Sequence, residues 1–87
     1  MPYIKQEDRL KWVNLIEDTA NMIDATPENE KEGNLNYFIT SVLKQTYPQK
    51  YFNYNRVIGL LECIKQEFYR VDVGPYEDEK IKENGAV

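Results

Sequence analysis

Leu35, Phe38, Ile39, Val42 and Leu43 recur at i, i+3, i+4, i+7 and i+8, the spacing that puts every apolar side chain on one face of an α-helix. Asn34 stands where an N-cap belongs, and Pro48 ends the pattern near Tyr47. An earlier stripe, Leu10, Val13, Ile16, Ala20 and Ile23, widened by Trp12 and Leu15, predicts a first helix from about Gln6 to Asp24. Glu7 and Asp8 lie in its first turn, where free backbone N–H groups favour carboxylates. A third stripe, Val57, Leu61, Ile64, Phe68 and Val71, advances by four, three, four and three residues after a cap at Asn53. It predicts a helix of about five turns.

The stretches between these stripes carry punctuation. Residues 26–33 hold Pro27 and nothing apolar to bury, so an exposed loop is read over about 25–33. Gly74-Pro75 breaks the third pattern, and Pro75 suits the first position of a short fourth helix reaching Asn84, with Gly85 as its stop and the tail running to residue 87. Val71-Asp72-Val73 has the composition of a short extended piece. The expected fold is all-α: one domain over residues 1–87, with a three-helix core and a short fourth C-terminal helix. The three stripes should be inside, which makes Phe38→Ala or Leu61→Ala cost about 3 kcal/mol. Gly59, unfavourable within a helix, suggests a close helix–helix approach.

Composition narrows the function classes. The chain is 41% hydrophobic and 30% charged, with no apolar run long enough to span a bilayer or to serve as a secretory leader core. A single cysteine, Cys63, cannot form an internal disulfide, so a reducing, cytoplasmic setting is expected, with Cys63 as a small buried apolar residue. Eleven basic against fifteen acidic residues give a net charge of −4, and no Lys/Arg cluster supplies the basic face that a nucleic-acid polymer needs. Histidine is absent, which removes the commonest general base and the commonest transition-metal ligand. No phosphate-cradling glycine loop or nucleophile elbow occurs. The reading is therefore non-enzymatic, with no catalytic residues, no metal and no cofactor.

Seven tyrosines accompany only three arginines. Rings that stack on a base and guanidinium forks that grip phosphate suit a planar, anionic small molecule. This nominates Arg9, Arg56 and Arg70 for phosphates, Tyr3, Tyr37, Tyr54 and Tyr69 for the base, and Asn36 and Glu62 for polar edges. Tyr54 with Arg56, and Tyr69 with Arg70, lie at opposite ends of one predicted helix, so a shared site needs two protomers. The alternative is that tyrosines edge the core and arginines pair with nearby carboxylates. Glu62 would then orient Arg70 or accept from Asn36 or Tyr37. The aromatic content of so short a chain favours a homo-oligomer.

The segments Met1-Pro2-Tyr3-Ile4-Lys5-Gln6-Glu7-Asp8-Arg9, Gly33-Asn34-Leu35-Asn36-Tyr37, Leu61-Glu62-Cys63, Glu67-Phe68-Tyr69-Arg70, Pro75-Tyr76-Glu77-Asp78 and Asn84-Gly85 span nearly the whole chain. In them the chain resembles a group of small uncharacterised proteins found in phage genomes and in bacterial genomes carrying phage-derived segments. It departs from that pattern at Val71-Asp72-Val73-Gly74 and in the loop around Glu28 to Glu32. The resemblance implies an all-helical protein in a bacterial host cell and carries no activity. Phage context favours capture of a host molecule, such as a nucleotide-like signal of host defence, or interference with a host protein as an inhibitor or adaptor. A structural phage accessory role is the third expectation.

Overall fold

Backbone hydrogen bonding in the computed structural model, which describes residues 2–87, is helical almost throughout. Helix α1 spans Gln6–Asp24, a 3-10 turn Glu28–Glu30, α2 Lys31–Thr46, α3 Tyr51–Phe68, a π-helical segment Tyr69–Val73, and α4 Gly74–Asn84. No strand occurs among the described residues, and the all-α class read from the three stripes is the class observed. The chain divides into two compact units, one ending at Pro48 and one running from Gln49 to Val87.

In the first unit α1 packs against α2. Helix α1 ends where Thr26 turns its hydroxyl and its N–H onto the Ile23 carbonyl, 2.6 and 3.0 Å away, and Pro27 forbids continuation. Helix α2 starts at Lys31, three residues before Asn34. Asn34 is thus inside the helix, and its amide donates back to the Glu30 carbonyl at 2.8 Å instead of capping. Lys31-Glu32 lacks anything apolar, yet it opens α2 directly after the 3-10 turn because helix propensity there is ordinary and the apolar stripe follows closely.

In the second unit helical bonding continues without a break from Tyr51 to Asn84. Gly74-Pro75 does not end α3, and 71–73 are not extended. Pro75 has no N–H to offer and its ring crowds the carbonyl four residues back. The chain absorbs this by widening to a π turn, in which the Gly74 N–H donates to the Tyr69 carbonyl five residues back. The real stop is Gly85, at φ 83°, a conformation open to glycine, with its N–H on the Ile81 carbonyl at 2.7 Å.

The expected interior is the main correction. Among the described residues no apolar side chain is buried. Leu10 and Ile16 are 74% and 63% exposed; Val13, Leu35, Phe38, Ile39, Val42, Leu61, Ile64 and Phe68 are exposed too, as is Ala20. Only Ile23, Leu43 and Val57 of that set are half-buried. The stripes form the predicted helices, but neither unit by itself encloses them. Cys63, expected as a small buried residue, is exposed as well. Nor does anything approach Gly59: a Cβ built there meets no atom within 4 Å.

Candidate functional site

A groove lies within the first unit, between α1 and α2. Leu15, Ile16, Ala20 and Ile23 from α1 face Leu35 and Phe38 from α2 across a groove of about 490 Å³. Thr19 is its only uncharged polar lining residue. Ile16, Ala20 and Ile23 follow one another at helical-turn spacing on α1, as do Leu35 and Phe38 on α2, so two amphipathic faces border the groove.

A charged triad closes one end. Lys31 Nζ lies 3.2 Å from Asp24 Oδ1 and 3.0 Å from Glu28 Oε2. The Glu28 carboxylate, followed by that of Asp24, holds the Lys31 ammonium above its ordinary range. One cation between two carboxylates leaves this end net negative. The triad bridges the end of α1, the 3-10 turn and the start of α2. It was not legible in the sequence, because Asp24 and Lys31 are seven residues apart across a stretch read as loop.

None of the nine residues nominated from the sequence lines this groove. Four belong to the first unit. Tyr3 precedes α1; Arg9, in its first turn, donates from Nε to the Ile4 carbonyl at 2.8 Å; Tyr37 is exposed on α2; Asn36 accepts from the Thr40 hydroxyl at 3.0 Å. Five belong to the second unit. Tyr54 and Arg56 lie on the first two turns of α3, where the Arg56 guanidinium sits 5.6 Å from the Phe52 ring centre and 3.4 Å from Asn53 Oδ1. Asn53 itself, expected as a cap, is inside α3 and is the one buried polar residue among those described.

Glu62 accepts from Lys65 Nζ at 3.0 Å and from Gln66 Nε2 at 3.3 Å, so its partners are its own helical neighbours. The Lys65 bond, then that of Gln66, lowers its carboxyl below the usual range. Arg70 pairs with Glu67 at 2.7 Å, one turn back. Tyr69 donates its hydroxyl to Glu77, an interaction that spans the π segment. That bond raises the phenol above its ordinary pKa.

Among the described residues no three metal-ligating side chains come together, and no helix is long and apolar enough to cross a membrane. Over residues 1–87 the chain matches the family model described as a domain of unknown function, DUF6899. No curated protein and no solved structure matches it.

Proposed function

Taking as premise that the chain belongs to the DUF6899 domain family, whose description assigns no activity, we propose that it is a non-enzymatic adaptor or inhibitor. In this reading the α1/α2 groove receives an amphipathic helix of a partner protein. The observation that carries the reading is the groove itself, an open apolar cleft with a net negative end. Residues 2–48 hold eight carboxylates against five cations, a net charge of −3. Helix-in-groove recognition reads apolar anchors at i, i+3/i+4 and i+7, and an acidic surround selects basic residues beside them. The partner is therefore a helix with a Leu/Ile/Phe stripe flanked by Lys or Arg. In this reading the partner belongs to a bacterial host cell and the protein acts in its cytoplasm, which the phage resemblance supports.

The test uses synthetic 18-residue helices with one leucine stripe and either Lys or Glu flanks, titrated into the full-length protein. The Lys-flanked helix should bind, more weakly in 500 mM than in 50 mM salt because screening shortens the reach of the acidic field. Ile16→Asp in the groove should abolish that binding. Equal binding of both helices, or binding indifferent to Ile16→Asp, would reject the reading.

Capture of an anionic nucleotide is the second reading. It is favoured by the Arg56–Phe52 pair on the first turns of α3, where a cation and a ring occupy a helix N-terminal region. Calorimetry against linear and cyclic nucleotides, with Arg56→Ala as control, separates the readings. Heat that disappears in that variant supports capture, and heat retained in it does not.

A further inference from the structure

The second unit raises a different question, because Tyr54, Val57, Leu61, Ile64 and Phe68 form a seam along all of α3 that the second unit itself does not enclose, Val57 alone being half-buried. Leu61 is 37% exposed, Ile64 54% and Phe68 62%. The seam advances by three, four, three and four residues, the 3.5-residue average that keeps one stripe facing a partner helix along its whole length. We propose that this seam is a self-association surface, on which α3 packs against α3 of a second copy of the chain.

Three observations select a second copy over a foreign partner. The first is area. The chain exposes 8072 Å², whereas even two separate folded bodies of these lengths would expose about 6,400 Å² on the surface-to-mass scaling of compact monomers. The surplus, about 1,600 Å² per chain shared between the two units, leaves room for a dimer burial in the range above about 2,000 Å² that permanent homodimers occupy.

The second is charge. Arg56 and Lys65 balance Glu62 and Glu67, so α3 is neutral, while α1 carries five carboxylates against two cations. Two copies of a chain with net charge −4 meet with least repulsion along α3. The third is stability. Helices without a buried apolar face are marginal in water, so the seam's cover is needed for the fold itself, and another copy of the chain is always present where the chain is. Gly59 lies on the side of α3 away from the seam and does not bear on the packing.

The experiment is performed on the full chain. Sedimentation equilibrium should give twice the 10.3 kDa chain mass, and isotope-filtered NOE spectra of mixed labelled and unlabelled protein should connect Leu61, Ile64 and Phe68 of one copy to α3 of the other. Leu61→Glu should halve the mass, whereas Met22→Glu, on α1, should leave it unchanged. A monomer mass up to 100 µM would overturn the proposal. So would a dimer whose intermolecular contacts lie elsewhere, or whose mass survives Leu61→Glu. The NOE measurement needs no variant, so a Leu61→Glu chain that fails to fold leaves the proposal open to refutation. The groove on the first unit is untouched by this outcome, since its peptide test reads a different surface.

Discussion

Tyr69 holds the most informative single contact in the second unit, because its hydroxyl bond to Glu77 straddles the place where the helical ladder changes register. The bond favours the neutral phenol, so its contribution is fully present below tyrosine's ordinary range and is lost as pH rises through the elevated value. In an NMR pH titration Tyr69 should ionise above the tyrosine reference of about 10, and Glu77→Gln should bring it back toward that value; a Tyr69 curve unchanged in the variant would contradict the contact. Glu62 runs the other way. Its lowered carboxyl makes the Lys65 contact available above the ordinary carboxylate range and removes it as pH falls through the folded value, a change that 13C titration of the Glu62 carboxyl would follow. Gly59 offers a third measurement: with open space where a Cβ would go, Gly59→Ala should stabilise the helix by about 1 kcal/mol. A lower melting temperature would mean that something outside the single chain does approach it. At this scale the sequence was a poor guide. Arginine–carboxylate pairing was foreseen as a class, yet Arg70 takes Glu67 where Glu62 had been considered, because the rotamers that join neighbours one turn apart are decided by local geometry.

Helices α1 and α2 and the body of α3 were legible because a 3.6-residue period needs only the order of apolar and polar residues. Their boundaries were less so. Asn34 and Asn53 have the side chain of a cap, but each lies inside a helix, since the residues before them extend it at little cost. The Gly74-Pro75 pair misled for a more specific reason. Proline forfeits one hydrogen bond, and a π turn relocates that loss so the helix survives it. Pro75→Ala restores the missing donor. It should relax residues 69–73 toward α-helical bonding and increase amide protection there in hydrogen exchange, whereas unchanged protection would mean that Pro75 is not what sets the π turn.

For the molecule as a whole, the period of a stripe reports that a face must be covered and is silent about what covers it. That is why the three stripes predicted helices correctly and an enclosed interior incorrectly. The nominated ligand residues suffer from the same silence: Tyr/Arg content says nothing of convergence, and the groove, made of aliphatic residues common to any amphipathic helix pair, gave no signal to search for. Two truncations separate the surfaces. Leu61→Ala should lower the melting temperature more at low protein concentration than at high, as expected where folding and assembly are linked. Phe38→Ala, in the groove, should give a shift independent of concentration and smaller than the 3 kcal/mol of a buried phenylalanine, because the side chain is already 39% exposed. Equal concentration dependence in both variants would show that the groove too is covered by assembly. The absence of a buried apolar side chain among the described residues also bears on the lifetime of the protein in a cell. If a second copy covers the α3 seam, a solitary chain lacks that burial and its helices open to proteases at little cost, so the steady amount of protein would fall more steeply than its rate of synthesis whenever synthesis slackened.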